Sequence, residues 1–100
     1  MLTFNLKKEW FEKIKSGKKT NEYRLVKPYW TKRFLKCYRN DQLYKELTGC
    51  RGDLIKFVLG YTKEHLYARV CNIRIVNGLD TDLKVDTDVY NISFELESEV

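Results

Sequence analysis

The 100-residue sequence lacks long hydrophobic runs and closely spaced cysteines, and each absence excludes a class of protein. Its longest apolar runs, such as Phe57–Leu59, fall far short of the ~20 residues that a membrane-spanning helix needs, so we expect no membrane partner. The first five residues lead directly into the charged segment Lys7–Glu9, a pattern that does not fit a signal peptide. The three cysteines have no CxxC spacing and favour a reducing cytoplasm over a disulfide scaffold or a zinc site: Cys37, Cys50 and Cys71.

The chain also lacks the short motifs of common catalytic and phosphate-binding sites: GxGxxG, the P-loop, HExxH and GxSxG are all absent. His65 is the single histidine, so a Ser-His-Asp triad or a multi-histidine metal site does not fit, and we interpret it as an exposed residue of a connection. Asp80, Asp82, Asp86 and Asp88 lack the glycine and glutamate of a calcium loop and are interpreted as solvated turns. We therefore predict no metal and no cofactor.

Positive charge is plentiful, and it is concentrated at one end of the sequence. The whole chain has 19 Lys and Arg against 14 Asp and Glu, a net charge of +5. Residues 1–39 hold 12 of the basic residues and three acidic ones, which gives +9, whereas residues 40–100 carry −4. Aromatic residues lie between these basic residues, as expected of a surface that binds a polyanion such as nucleic acid. The alternative is a solvated basic face over a core that contains the rings.

The length and the 43% hydrophobic content predict one domain over residues 1–100 and exclude a disordered chain. A short strand over residues 2–5 is followed by a helix that Asn5 caps and that runs to about Ser16. Gly17 ends this helix in a left-handed conformation. Apolar residues recur along one side of the helix, and we place Trp10 in the core among them: Leu6, Trp10, Phe11 and Ile14.

The segment Thr20–Val26 is rich in strand-forming residues, and Pro28 ends it. The alternation of a strand puts Thr20, Glu22 and Arg24 on one face of it. A short helix and a further helix or loop then follow, over residues 29–38 and 40–47.

The second half of the sequence predicts a sheet. A turn at residues 51–53 leads into a strand over 54–59, and a long strand covers 66–76. The apolar phase of the long strand shifts by one residue, which predicts a β-bulge near Cys71 and Asn72. An acidic connection over 79–88 precedes a last strand that alternates from Tyr90 to Leu96. About five strands with helices near the N-terminus predict a mostly β, α+β fold, a small barrel.

One motif stands out, Gly17-Lys18-Lys19-Thr20-Asn21-Glu22-Tyr23-Arg24, which reads GxKxxExR between the predicted helix and strand. It resembles the signature of the ASCH domain family, small β-barrels related to PUA domains. The helix start Leu6–Phe11 and the segment Gly52–Phe57 agree with the same family. The resemblance implies a PUA-like barrel with an N-terminal helix packed at its mouth.

The motif also makes chemical sense by itself. Glycine at position 17 lets the chain turn and lets a ligand approach the backbone. Glu22 and Arg24 share a strand face, where a carboxylate and a guanidinium can read a nucleobase edge or a phosphate, and Lys19 adds a phosphate contact. The alternative is a buried Glu22–Arg24 ion pair that fixes the barrel mouth, with Lys19 as counter-charge.

The resemblance implies that RNA or a nucleotide binds in a cleft between the helix and the barrel. Gly17, Lys19, Glu22 and Arg24 would form this site. We expect further basic residues to widen the phosphate footprint and two aromatic residues to stack on bases: Lys18, Lys27, Lys32 and Arg33, with Tyr29 and Trp30.

Two other functions stay open. Some small bacterial members of the family hydrolyse the amide of an acetylated cytidine with a lysine, a threonine and a glutamate, and a related member has been linked to ribonuclease activity. Lys19 matches the lysine, but Glu22 occupies the place of the threonine, Thr20 lies two residues away, and Glu64 is only a candidate for the glutamate. If the chain is an enzyme, a Lys19/Glu22 pair would activate water. The third hypothesis is a module that binds an acidic protein.

Overall fold

The computed structural model describes residues 1–35 and 50–97. In that part of the chain, two α-helices and five strands confirm the predicted α+β class. The elements are β1 (Leu2–Leu6), α1 (Lys8–Lys15), β2 (Asn21–Leu25), α2 (Pro28–Leu35), β3 (Leu54–Leu59), β4 (His65–Asn77) and β5 (Asp88–Leu96), with a 3-10 turn over Gly78–Asp80. The helix or loop predicted over 40–47 lies outside the described residues, as does the end of the helix predicted over 29–38. No helix in the described ranges is long and apolar enough to cross a membrane.

The five strands form one mixed sheet in the order β1-β3-β4-β5-β2. Strands β1 and β3 are parallel, and every other neighbouring pair is antiparallel. The sheet curls into a half-barrel whose edge strands are β1 and β2. The predicted barrel is therefore correct in its strand number and curvature, but in the described residues the sheet stays open between these two edges.

The β-bulge in β4 is confirmed at the predicted place. Val70 pairs with Phe94 and Asn72 pairs with Ser93, so Cys71 is the additional residue in the ladder. Val70 and Ile73 are both buried although they lie three positions apart, which a regular strand with a period of two does not allow. The bulge thus lets both halves of this long strand face the core, and it bends the sheet.

Aromatic rings fill the concave side of the sheet. The Phe57 ring centroid lies 5.6 Å from that of Phe4 and 4.8 Å from that of Phe94, which joins three strands through their side chains. Trp30 of α2 stacks on Phe4 with centroids 4.9 Å apart and planes 9° apart. Contacts of this kind stabilise a core beyond the area that the rings bury, so α2 is firmly anchored over β1.

Helix α1 begins later than predicted. Asn5 does not cap it, because Asn5 belongs to β1 and pairs with Val58, and Lys7 is the capping residue without a side-chain hydrogen bond. Phe11 and Ile14 are fully buried, as expected of the apolar side. Trp10 is only half-buried and packs against the core from its edge, so its assignment to the core was wrong in part.

The connection between β4 and β5 is ordered by its own hydrogen bonds. Asn77 caps the 3-10 turn by accepting from the Leu79 amide at 2.8 Å. The buried Thr81 hydroxyl donates to the Gly78 carbonyl at 2.8 Å and accepts from the Leu83 amide at 3.2 Å. These bonds hold the intervening residues, which include Asp82, in one fixed arrangement.

We expect Gly78→Ala to destabilise the protein by about 2 kcal/mol, because overpacking against backbone cannot relax easily. The added Cβ would lie 2.6 Å from both Cγ2 and the carbonyl oxygen of Val85. Chemical denaturation measures the effect. Lys84→Asn is the control in the same connection, since Lys84 has a φ of 50°, which Asn tolerates, and its effect should stay within about 0.5 kcal/mol. Equal stability of both variants would contradict the close packing at Gly78.

Candidate functional site

A cleft of about 500 Å³ lies where the sheet remains open. Both edge strands contribute to its walls, and the remaining lining comes from the helices, from the turns beside them and from the connection between β4 and β5. The lining residues are Asn5, Leu6, Lys7, Trp10, Lys19, Glu22, Tyr23, Arg24, Leu25, Lys27, Trp30, Asp82 and Leu83. The gap between β1 and β2 therefore forms part of a pocket, which is lined by Lys19, Glu22 and Arg24 of the GxKxxExR motif.

Glu22 lies on the concave face of β2. It pairs in register with Ile92, a fully buried residue of β5, and only 7% of Glu22 is exposed. Its Oε2 accepts from Nη2 of Arg24 at 2.9 Å, and its Oε1 accepts from the Tyr23 amide at 3.1 Å. A buried carboxylate needs such partners, so this network is what allows a charge at a core-facing position.

Arg24 connects the two edges of the sheet. Its Nη2 also donates to the carbonyl oxygen of Asn5 in β1, at 3.3 Å. The guanidinium carbon lies 5.2 Å from the ring centroids of both Phe4 and Trp30, within the range of a cation–π contact. Both hydrogen bonds use Nη2, while the buried Nε has no partner among the described residues. The Nη1 group of the guanidinium therefore forms no hydrogen bond with the described residues.

Lys19 is held by two carboxylates and two rings. Its side chain is only 9% exposed, its Nζ lies 3.6 Å from Oε1 of Glu22, and it also forms an ion pair with Asp82. The same nitrogen is 5.0 Å from the ring centroid of Trp10 and 5.1 Å from that of Tyr23. These contacts fix the ammonium in the wall of the cleft.

The structure brings together five of the predicted site residues and separates the others. The cleft is lined by Lys19, Glu22, Arg24, Lys27 and Trp30. A second cleft of about 720 Å³, beside the start of β1, is lined by Tyr29, Lys32 and Arg33. The predicted basic and aromatic footprint is thus divided between two faces.

Two predicted residues of the motif lie beside the cleft rather than in it. Lys18 and Thr20 line a neighbouring cavity of about 280 Å³, which shares Lys19 with the main cleft. Gly17 lines none of these three cavities. Its φ is +82°, and a Cβ built there meets no atom within 4 Å. Gly17 is therefore required for the left-handed turn after α1, as predicted, and not for a close approach of ligand.

Asp82 lines the cleft, which sequence reasoning missed. It lies in an exposed turn, as predicted, but its carboxylate also forms an ion pair with Lys19. Sixty-three residues separate the two along the chain, so no local spacing could indicate the contact. Asn5 and Lys7 also line the cleft, and neither was predicted to do so. Asn5 was expected to cap the helix, but it belongs to β1, and α1 begins only at Lys8.

The remaining candidates lie elsewhere. Glu64 does not line the cleft and forms an exposed ion pair with Lys15 at 3.5 Å. His65 is exposed, as predicted, although it is the first residue of β4 rather than part of the connection. Cys50 and Cys71 are free thiols. Within residues 1–35 and 50–97, no group of three or more His, Cys, Asp or Glu side chains could hold a metal ion.

No protein-family model matches this chain, and a search of curated proteins finds no match either. The chemistry of the cleft itself is therefore the basis on which its function is proposed.

We expect Glu22→Gln to lower the free energy of unfolding by about 3 kcal/mol, since removing one partner of a buried pair leaves the other charge uncompensated. Urea denaturation measures the loss. Glu97→Gln is the matched control, because Glu97 pairs with Arg69 at 2.7 Å but the two side chains are 32% and 51% exposed. An exposed pair contributes less than about 1 kcal/mol. Similar losses in both variants would show that the Glu22 network is no stronger than a surface contact.

Proposed function

We propose that this chain is an ASCH-type, PUA-like domain that binds a nucleotide, free or within RNA, in the cleft between β1 and β2. The observation that carries the proposal is the Glu22–Arg24 pair on one strand face, beside exposed parts of Trp10 and Trp30. A volume of about 500 Å³ falls in the range of pockets that hold small organic ligands. This arrangement offers both a flat apolar surface and a donor–acceptor pair.

The side chains suit the parts of a nucleotide. Trp10 lines the cleft and is only half-buried, so its indole is the one on which a base would stack, an interaction of about 1–3 kcal/mol per base, whereas the ring of Trp30 already stacks on Phe4 and Phe34. Arg24 offers the hydrogens of Nη1, which no described residue accepts, and a carboxylate oxygen of Glu22 can accept a second hydrogen bond from an exocyclic amine. Base recognition of this kind needs a donor and an acceptor in fixed positions, and the hydrogen bond between Arg24 and Glu22 holds both side chains in place.

No comparable observation supports the hydrolase hypothesis. Glu22 occupies the place of the hydrolase threonine, so the hydroxyl of that pattern is absent from this position of the cleft. Thr20 lines the neighbouring cavity, and Glu64 pairs with Lys15 elsewhere. Binding requires neither of these groups, and it is the function that the cleft supports best.

We expect Arg24→Lys to weaken the binding of a labelled single-stranded RNA of mixed sequence about 10-fold, because lysine keeps the charge but loses the planar fork. Fluorescence anisotropy measures the affinity, and thermal unfolding of each variant shows that the fold persists. Arg69→Lys is the matched control, since Arg69 is exposed, does not line the cleft and pairs with Glu97. Its RNA affinity should equal that of the native chain.

The outcomes separate the three hypotheses. Equal RNA affinities of the Arg24→Lys and Arg69→Lys variants would refute the assignment of the site. Absence of binding to RNA and to mononucleotides, at low as well as physiological salt, would refute the function and favour a protein-binding module. Release of acetate from acetylated cytidine, lost in Lys19→Ala, would move the assignment to a hydrolase.

A further inference from the structure

The charges that line the cleft differ with depth. In its inner part, the two cations Lys19 and Arg24 face the two carboxylates of Glu22 and Asp82, and all four are joined by ion pairs. The Glu22 and Lys19 side chains are each only 9% exposed. This inner part of the cleft, defined by these four residues, is therefore electrically balanced although it contains the two cations of the motif.

The rim of the same cleft is not balanced. Lys7, at the start of α1, and Lys27, just after β2, both line the cleft and are exposed. Neither forms an ion pair with any residue in the described ranges. Lys7 follows β1 and Lys27 follows β2, so the two lysines carry the uncompensated positive charge on either side of the opening.

We infer that the ligand binds with its uncharged base against the inner part of the cleft and with its phosphate at the rim, on Lys7 and Lys27. This inference rests on the proposed function and deepens it: the preferred ligand is a nucleoside monophosphate unit, and Lys19 and Arg24 are base-facing rather than phosphate-binding. The assignment differs from the one expected from the sequence, where Lys19 was a phosphate contact.

Electrostatics supports this orientation. A phosphate placed beside Lys19 would approach the carboxylates of Glu22 and Asp82, and the like charges repel, most strongly at Glu22, whose side chain is 9% exposed, and less at Asp82, whose side chain is 39% exposed. A base carries no net charge and can exchange hydrogen bonds with the same four groups without that penalty. At the rim, a phosphate meets two lysines that have no competing carboxylate and displaces only counterions.

The test compares four ribonucleosides with their 5′-monophosphates, using isothermal titration calorimetry at two salt concentrations. We expect the native chain to prefer the monophosphate of its favoured base about 10-fold, with an affinity that falls as salt rises. In the double variant Lys7→Ala/Lys27→Ala, the monophosphate should bind about as weakly as the nucleoside, and the nucleoside affinity should not change. The matched control is Lys56→Ala/Lys63→Ala, which removes the same charge outside the cleft and should keep the 10-fold preference.

The orientation is refuted if the double variant keeps its preference for the monophosphate, or if it loses nucleoside and monophosphate affinity equally. In each of these cases the proposed function stands. Failure of the native chain to bind any of the eight compounds or the RNA refutes the proposed function, and this inference with it.

Discussion

The architecture around the cleft depends on one buried charge, the carboxylate of Glu22. It occupies a register position opposite Ile92 where an apolar side chain would ordinarily pack against the core. Because a buried carboxylate must be paired, Arg24 is drawn across the concave face, and from there it reaches the Asn5 carbonyl on the opposite edge of the sheet. A side chain thus bridges two strands that do not pair through their backbones, and the space around the bridge becomes a pocket.

The aromatic core supports the same arrangement. Trp30 stacks on Phe4 on one side and lies beside the ring of Phe34 on the other, with centroids 5.8 Å apart. The Thr31 hydroxyl lies 2.8 Å from the hydroxyl of Tyr90, which ties α2 to β5 as well. The guanidinium of Arg24 is therefore placed against rings whose own positions are fixed by the core. A site built on such supports can hold its donors and acceptors in place before a ligand arrives.

The sequence predicted the parts of this structure that local patterns determine. Alternation placed Glu22 and Arg24 on one strand face, and the phase shift in β4 located the bulge at Cys71, because side-chain direction follows directly from strand geometry. It failed where long-range pairing outweighs local preference. Asn5 has a good capping side chain, but its place in the ladder opposite Val58 prevails. The contact of Asp82 with Lys19 depends on a distant connection, and the opening between β1 and β2 depends on the whole sheet.

The Glu22–Arg24 pair can be explained as a stabilising contact or as part of a binding site, and the two explanations predict different hydrogen bonding of the guanidinium. A pair that only stabilises the fold is most favourable when every buried donor is satisfied, and apolar residues of similar volume often serve at least as well. In this chain the Arg24 hydrogen bonds all use Nη2, and Nε is buried without a partner in the described residues. The pair therefore leaves hydrogen-bonding capacity unused at the wall of a cleft. Because Nε has no accessible surface, Nη1 is the donor that a ligand in the cleft could meet, and the proposed recognition of a base would draw on it.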